Sequence, residues 1–348
     1  MIPSAREQIR FLQNVQRVLE EGVFTATYKY ALLLSLADIA VERGDERATP
    51  LKISAEDLAE RFVGYYWRQA RPYQPRGGGG GAVLRQNTGK QAKIVTLVGR
   101  HQHTTPSQLR KKTKDWRVLV RYTEKTILGQ PLWKLQVVGG EQFTFLYDHA
   151  VGETEIELKG SAVYCLRHFH GLVHNLVTAA WVRFVRQLPA NRPVLGHHAE
   201  LAEFLFGTER APLGPYRSIL VEVQKRRCFY CEGRLAPASV VDHFVPWSRY
   251  PVDLGHNFVV AHTECNNRKR DNLADVPHLE RWMRRNEDHR TEMEQQFDEA
   301  AVAHDLAASL QIARWAYRQA AASKSLVWFR GNELVPLKRG WRTILRSP

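Results

Sequence analysis

The chain has 348 residues, 44% hydrophobic and 25% charged, an ordinary globular composition with enough apolar material for more than one core. Its 50 basic and 36 acidic residues leave a net charge of +14, which favours a polyanionic partner, because each cation that neutralises a phosphate releases a condensed counterion. Of the four cysteines, three sit in one short segment with metal-like spacing, which argues against a disulfide scaffold; residues 1–20 lack a signal-peptide pattern, and the longest apolar run, residues 31–41, is too short to span a bilayer. A cytoplasmic protein with no membrane contact is therefore expected.

Ser4 and Glu7 form a capping-box pattern ahead of apolar Ile9, Phe11, Leu12, Val15, Val18 and Leu19, which predicts a first helix. Thr25 or Thr27 can open a second, residues 28–42, apolar nearly all round and therefore buried. Ser54 with Asp57 starts a third, ending in Tyr65, Tyr66 and Trp67 before Pro72. Gly77 to Gly81 is a five-glycine tract, expected to be a flexible loop. The Gly89-Lys90 pair is not a phosphate loop, since Leu84 and Gln91 stand where glycine and a hydroxyl residue are required. Residues 101–125 carry a dense basic run, either a solvated helix face or a phosphate-tracking surface.

Residues 132–138 and 142–147, separated by Gly139-Gly140, predict a β-hairpin, and residues 161–188 a long scaffold helix with an aromatic stripe. The His168/His170 and His101/His103 pairs lack a carboxylate or thiol at ligand spacing and predict no metal site. Residues 279–285 and 292–322 read as helices, and residues 326–345 as short strands and turns anchored by Trp328 and Trp341. Four regions are expected: an N-terminal helical region (1–75), a basic helical and hairpin region with the long helix (76–210), a small metal-bearing module (211–278), and a C-terminal helical region packing on the scaffold (279–348). The fold class is α+β, a mainly helical scaffold carrying that module.

The chemistry lies in CFYCEGRLAPASVVDHFVPWSRYPVDLGHNFVVAHTECNNRKRDN, residues 228–272. Cys228-x-x-Cys231 and His262-x-x-Cys265 are two short-spaced ligand pairs able to close a tetrahedron around a structural zinc ion. Between them, residues 239–243 form a β-branched strand ending in Asp242-His243, a loop follows with Pro246 and Gly255, residues 257–261 form a second strand, and residues 263–271 suit a helix. Strand, loop, strand, helix is the outline of a ββα-metal finger.

On these residues the segment resembles the HNH endonuclease family. Its pattern is Cys-x-x-Cys, a hydrophobic-Asp-His-hydrophobic-x-Pro stretch, an Asn opening the second strand, then Cys-x-x-Cys followed by His or Asn. His243, Asn257 and Asn266 take the three motif positions. Asn266 replaces the last His, and His262 stands where Cys is more frequent. The likeness covers about 45 residues of the chain.

What the resemblance implies is a metal-dependent DNA endonuclease that nicks or cuts both strands, leaving 5′ phosphate and 3′ hydroxyl ends. His243 would be the general base, since imidazole alone has an unperturbed pKa near neutrality. Asp242 and Asn266 would supply oxygen ligands to magnesium or manganese, and Asn257 would hold the loop or orient His243. Adjacent residues on a regular strand point to opposite faces, so a twist or bulge is expected to bring Asp242 and His243 to one phosphate. Lys225, Arg226 and Arg227, with Arg268, Lys269 and Arg270, are expected to grip backbone phosphates. Trp247 and Arg249 would either touch DNA or pack beneath the loop.

The competing readings are a zinc-knuckle module that binds nucleic acid without cutting it, and an RNA-directed nuclease, which no RNA-binding signature supports. A large flank with no base-reading motif suggests restriction or anti-phage defence, with protein partners from such a system. The sequence leaves the oligomeric state open.

Overall fold

The structure is a computed structural model describing residues 1–74, 81–148, 152–195, 201–207 and 213–346. It mixes helices with small antiparallel sheets, an α+β fold in two compact units, Met1–Thr208 and Glu209–Pro348. The glycine tract lies outside the described residues apart from Gly81, as does the expected boundary at 210/211. Among the described residues no helix is long and apolar enough to cross a membrane.

Local polar pairs set the helix starts of the first unit. Ser4 Oγ accepts from the Glu7 amide while the Glu7 carboxylate accepts from the Ser4 amide, opening the helix Ala5–Glu21. Ser54 and Asp57 do the same for the helix Ala55–Gln69. The helix Tyr28–Arg43 starts without a side-chain cap, because the Thr27 hydroxyl is hydrogen-bonded to the Tyr66 hydroxyl at 2.6 Å. It is buried on nearly every side from Tyr30 to Glu42 and forms the centre of the unit's core. Burial of this kind supplies most of a helix's stability in a protein.

Two expected elements differ. Residues 161–188 are two helices, Gly160–His168 and His170–Gln187, parted at Phe169, whose ψ of 21° leaves the helical range. His170 has a carboxylate partner that spacing did not suggest, Asp38 of the buried helix, at 2.9 Å. The hairpin shrinks to Val137–Val138 paired with Glu141–Gln142, turning through Gly139 and Gly140 at φ of +60° and +87°, where a side chain would be strained. Leu132 belongs instead to a short helix, Pro131–Lys134, and Tyr147–Asp148 joins a three-stranded sheet with Glu155–Leu158 and Leu51–Ser54. The basic run lies on the helices Pro106–Lys111 and Thr113–Gly129, with Lys112, Lys114, Arg117, Arg121 and Lys125 exposed.

In the second unit the helix Gly214–Val223 leads to the Cys228–Cys231 turn. The strands Val240–His243 and Phe258–Ala261 pair antiparallel, and the helix Thr263–Lys269 follows at once. Residues 279–348 share this unit with the finger. Tyr216, Leu220, Phe258, Val260, Met293 and Phe297 form one core that joins the leading helix, the second strand and the later helix Arg290–Ala300. The helix Val276–Asp288 fastens to the start of the second strand. Trp282 Nε1, an Arg285 guanidinium nitrogen and Asn286 Nδ2 all donate to the His256 carbonyl, at 2.9, 2.8 and 3.2 Å. Gly255 is required here, since a Cβ would lie 2.6 Å from the Phe297 ring.

Candidate active site and metal centre

The cysteine turn is built by backbone contacts. The Cys228 amide donates to the Gly233 carbonyl, the Glu232 amide donates to the Cys228 carbonyl, and Glu232 takes a φ of +60° to close the knuckle. That turn faces the junction between the second strand and the short helix, which carries His262 and Cys265. Cys228, Cys231, His262 and Cys265 place their donor atoms within 4.8 Å of one another. His262 directs Nδ1 to the Cys231 sulfur at 3.3 Å, while Nε2 lies 2.9 Å from the Arg234 carbonyl. A second hydrogen bond of this type is what fixes the ring of a metal-bound histidine.

The chemistry of the donors fits a soft divalent ion. Burial, with the Cys228 and Cys231 sulfurs close by, pushes the Cys265 thiol up to about 12. Crowded thiols disfavour one another's anions, and a cation in their midst reverses that effect. The group could hold a metal such as zinc.

The opposite end of the first strand has different wiring. Asp242 Oδ2 accepts from the Tyr230 hydroxyl at 2.5 Å and pairs with Lys269 Nζ at 3.0 Å. Burial and the Asp242 carboxylate hold the Tyr230 hydroxyl well above its ordinary pKa, so it stays a donor. Lys269 also donates to the His243 carbonyl at 3.0 Å. Oδ1 of Asp242 makes no hydrogen bond among the described residues.

His243 looks elsewhere. Its side chain is only 5% exposed, and Nε2 lies 2.8 Å from Asp253 Oδ1 in the loop between the strands. Its ring sits edge-on to Phe258 and Trp247 at 4.6 and 5.2 Å. Among the described residues Nδ1 has no hydrogen-bond partner. Asn257 clips the loop, accepting from the Val245 amide at 2.8 Å and donating to its carbonyl at 3.0 Å.

The strands pair in unbroken register, Asp242 opposite Val259 and His243 opposite Phe258, with no bulge. The Asp242 and His243 side chains accordingly engage different partners, Tyr230 and Lys269 for one and Asp253 for the other. No hydrogen bond or ion pair among the described residues joins the Asn266 side chain to either. Asn266 is partly buried three residues before Lys269, a spacing that puts both on one face of the helix.

The six expected phosphate-gripping residues divide. Lys225, Arg226, Arg227, Arg268 and Arg270 are exposed, with Arg226 paired to Glu222 and Arg268 to Glu264. Lys269 is a correction. It is 0% exposed and engaged by Asp242 and the His243 carbonyl, so it cannot reach a phosphate. Trp247 is partly buried against His243, and burial lowers the Arg249 pKa.

Spacing does not mark Asp253 or Tyr230 as site residues, and it assigns Lys269 to phosphate rather than to Asp242. The available signal was chemical, an Asp ten residues beyond His243 in the same loop and a lysine one turn after Asn266. No protein-family model, no curated protein and no solved structure matches the chain.

Proposed function

We propose that residues 228–272 are an HNH-type nuclease finger that hydrolyses DNA phosphodiester bonds, held by zinc at the Cys₃His group. The observation that carries this reading is the His243–Asp253 pair at the end of a strand in a strand–loop–strand–helix finger. Asp253 accepting from Nε2–H fixes the tautomer in which Nδ1 holds a lone pair, the state a base needs to take a proton from water. Asn257 keeps the intervening loop, and with it Asp253, at a set distance from the strand. Asp242 anchors through Oδ2 and keeps Oδ1 for a cation, with Asn266 on the helix face that Lys269 shares. Magnesium or manganese, when bound, would supply positive charge to the phosphoryl oxygens. The exposed Lys225, Arg226, Arg227, Arg268 and Arg270 would hold the backbone, which fixes register without reading sequence. Cutting without a base-reading element suits restriction or defence against invading DNA.

A second reading has an observation of its own. Asp242 is committed to Lys269 and Tyr230 while His243 is nearly sealed, which suits a zinc-knuckle module that binds nucleic acid without cutting it. Plasmid incubated with the full chain and magnesium or manganese separates the two. Nicked or linear product is expected, falling by about 10²–10⁴-fold in His243→Ala, the range a positioned general base contributes. Gel-shift binding without cleavage under either metal, or equal cleavage by His243→Ala, would overturn the nuclease reading.

A further inference from the structure

The first unit holds a cavity of about 470 Å³ beside the start of the helix Tyr28–Arg43 and the short helix Pro131–Lys134. Its size is within the range of small-molecule sites. Phe24, Tyr28 and Trp133 give it aromatic walls, and Lys29 and Lys134 bring two ammonium groups to it. Lys29 Nζ lies 5.2 Å from the Phe24 ring centre and Lys134 Nζ 4.9 Å from that of Trp133.

Neither lysine forms an ion pair with any described residue. Glu21, the acid on the cavity wall, is engaged by Arg17 at 2.9 Å. The two cations therefore oppose one another in a partly desolvated place, and burial together with the Lys134 charge lowers Lys29 to about 8. Like charges gathered without a counterion are costly unless an anion relieves them. An aromatic wall beside such a pair suits a ligand with a flat ring at one end and negative charge at the other.

We propose that this cavity binds a nucleotide, its base against Trp133 and Tyr28 and its phosphate between Lys29 and Lys134. The site belongs to the first unit and stands whether or not the finger cuts DNA.

Isothermal titration of the full chain with AMP, GMP, CMP and UMP tests the site, with the matching nucleosides and inorganic phosphate as separate arms. At least one nucleotide is expected to bind one per chain, more tightly than its nucleoside or phosphate alone. Loss of one charge-assisted contact should weaken it by about tenfold or more in Lys29→Gln and in Lys134→Gln. Exposed Lys114→Gln is expected to leave affinity unchanged, and circular dichroism verifies that each variant is folded. The proposal is overturned if none of the four nucleotides binds, if both cavity variants bind like the parent, or if nucleoside or phosphate alone binds as tightly as the nucleotide.

Discussion

The two ends of the finger solve different problems with similar means. At the knuckle, three thiols and an imidazole converge from two turns and the thiolates disfavour one another, an arrangement that a metal ion would stabilise. At the strand end, an acid, a base and an amide are each held by the protein itself: Asp242 by Lys269 and Tyr230, His243 by Asp253, Asn257 by Val245. A structural metal corner needs its ion to be whole. A reactive corner needs its groups pre-positioned before any ligand arrives. The finger thus gathers its candidate metal donors at one end and its internally held acid, imidazole and amide at the other.

Removing the ion from the knuckle should have the largest effect. Structural zinc contributes on the order of 10 kcal/mol to small metal modules, so Cys228→Ser or strong chelation is expected to unfold the second unit. Zinc quantification and far-UV circular dichroism would show about one ion per chain lost together with helix signal. Full retention of the fold without metal would remove the contrast between the two ends.

Lys269→Met probes the other end at lower cost. It leaves Asp242 buried without its cation, which typically costs about 3–5 kcal/mol, and should lower the denaturation midpoint while zinc content is unchanged. A variant as stable as the parent would mean that Asp242 is not held by this pair.

Asp253→Asn keeps the shape and removes the charge behind His243. On the proposed nuclease reading, cleavage falls by about 10- to 100-fold, because the imidazole loses the carboxylate that fixes its tautomer.

The smallest effect separates acid sensitivity of packing from acid loss of metal. His256 is fully buried, and burial beside the Arg285 cation lowers it to about 3. The folded state therefore binds this proton less readily than the unfolded chain. Its stabilising contribution is complete above about pH 6.5 and is lost progressively as pH falls towards about 3. Against His256→Gln, the parent should lose about 1 kcal/mol more between pH 7 and 5.5 in urea titrations. Parallel curves would assign the acid sensitivity elsewhere.

What could be read in advance was short-range. Ser4 with Glu7, Ser54 with Asp57, Cys228 with Cys231 and His262 with Cys265 act across a few residues, where composition and spacing are sufficient. Contacts that close over long stretches were not readable. The pairing of Leu51–Ser54 with Glu155–Leu158 spans a hundred residues, and His170 finds Asp38 from a separate helix. Lys269 is the clearest case. Among three consecutive basic residues it alone turns inward, because a turn of helix separates it from Asn266 and its ammonium meets the Asp242 carboxylate. Sequence shows the charge of such a run but not which member has a buried partner.

The convergence of Trp282, Arg285 and Asn286 on one carbonyl bears on portability. Any transplant of the cysteine-to-asparagine segment that stopped short of the helix Val276–Asp288 would strip three donors from His256 at the threshold of the second strand. The smallest heritable piece of this protein is therefore larger than its recognisable motif. Recombination that shuffled the motif alone would deliver the right letters with the turn before the second strand stripped of its outside donors.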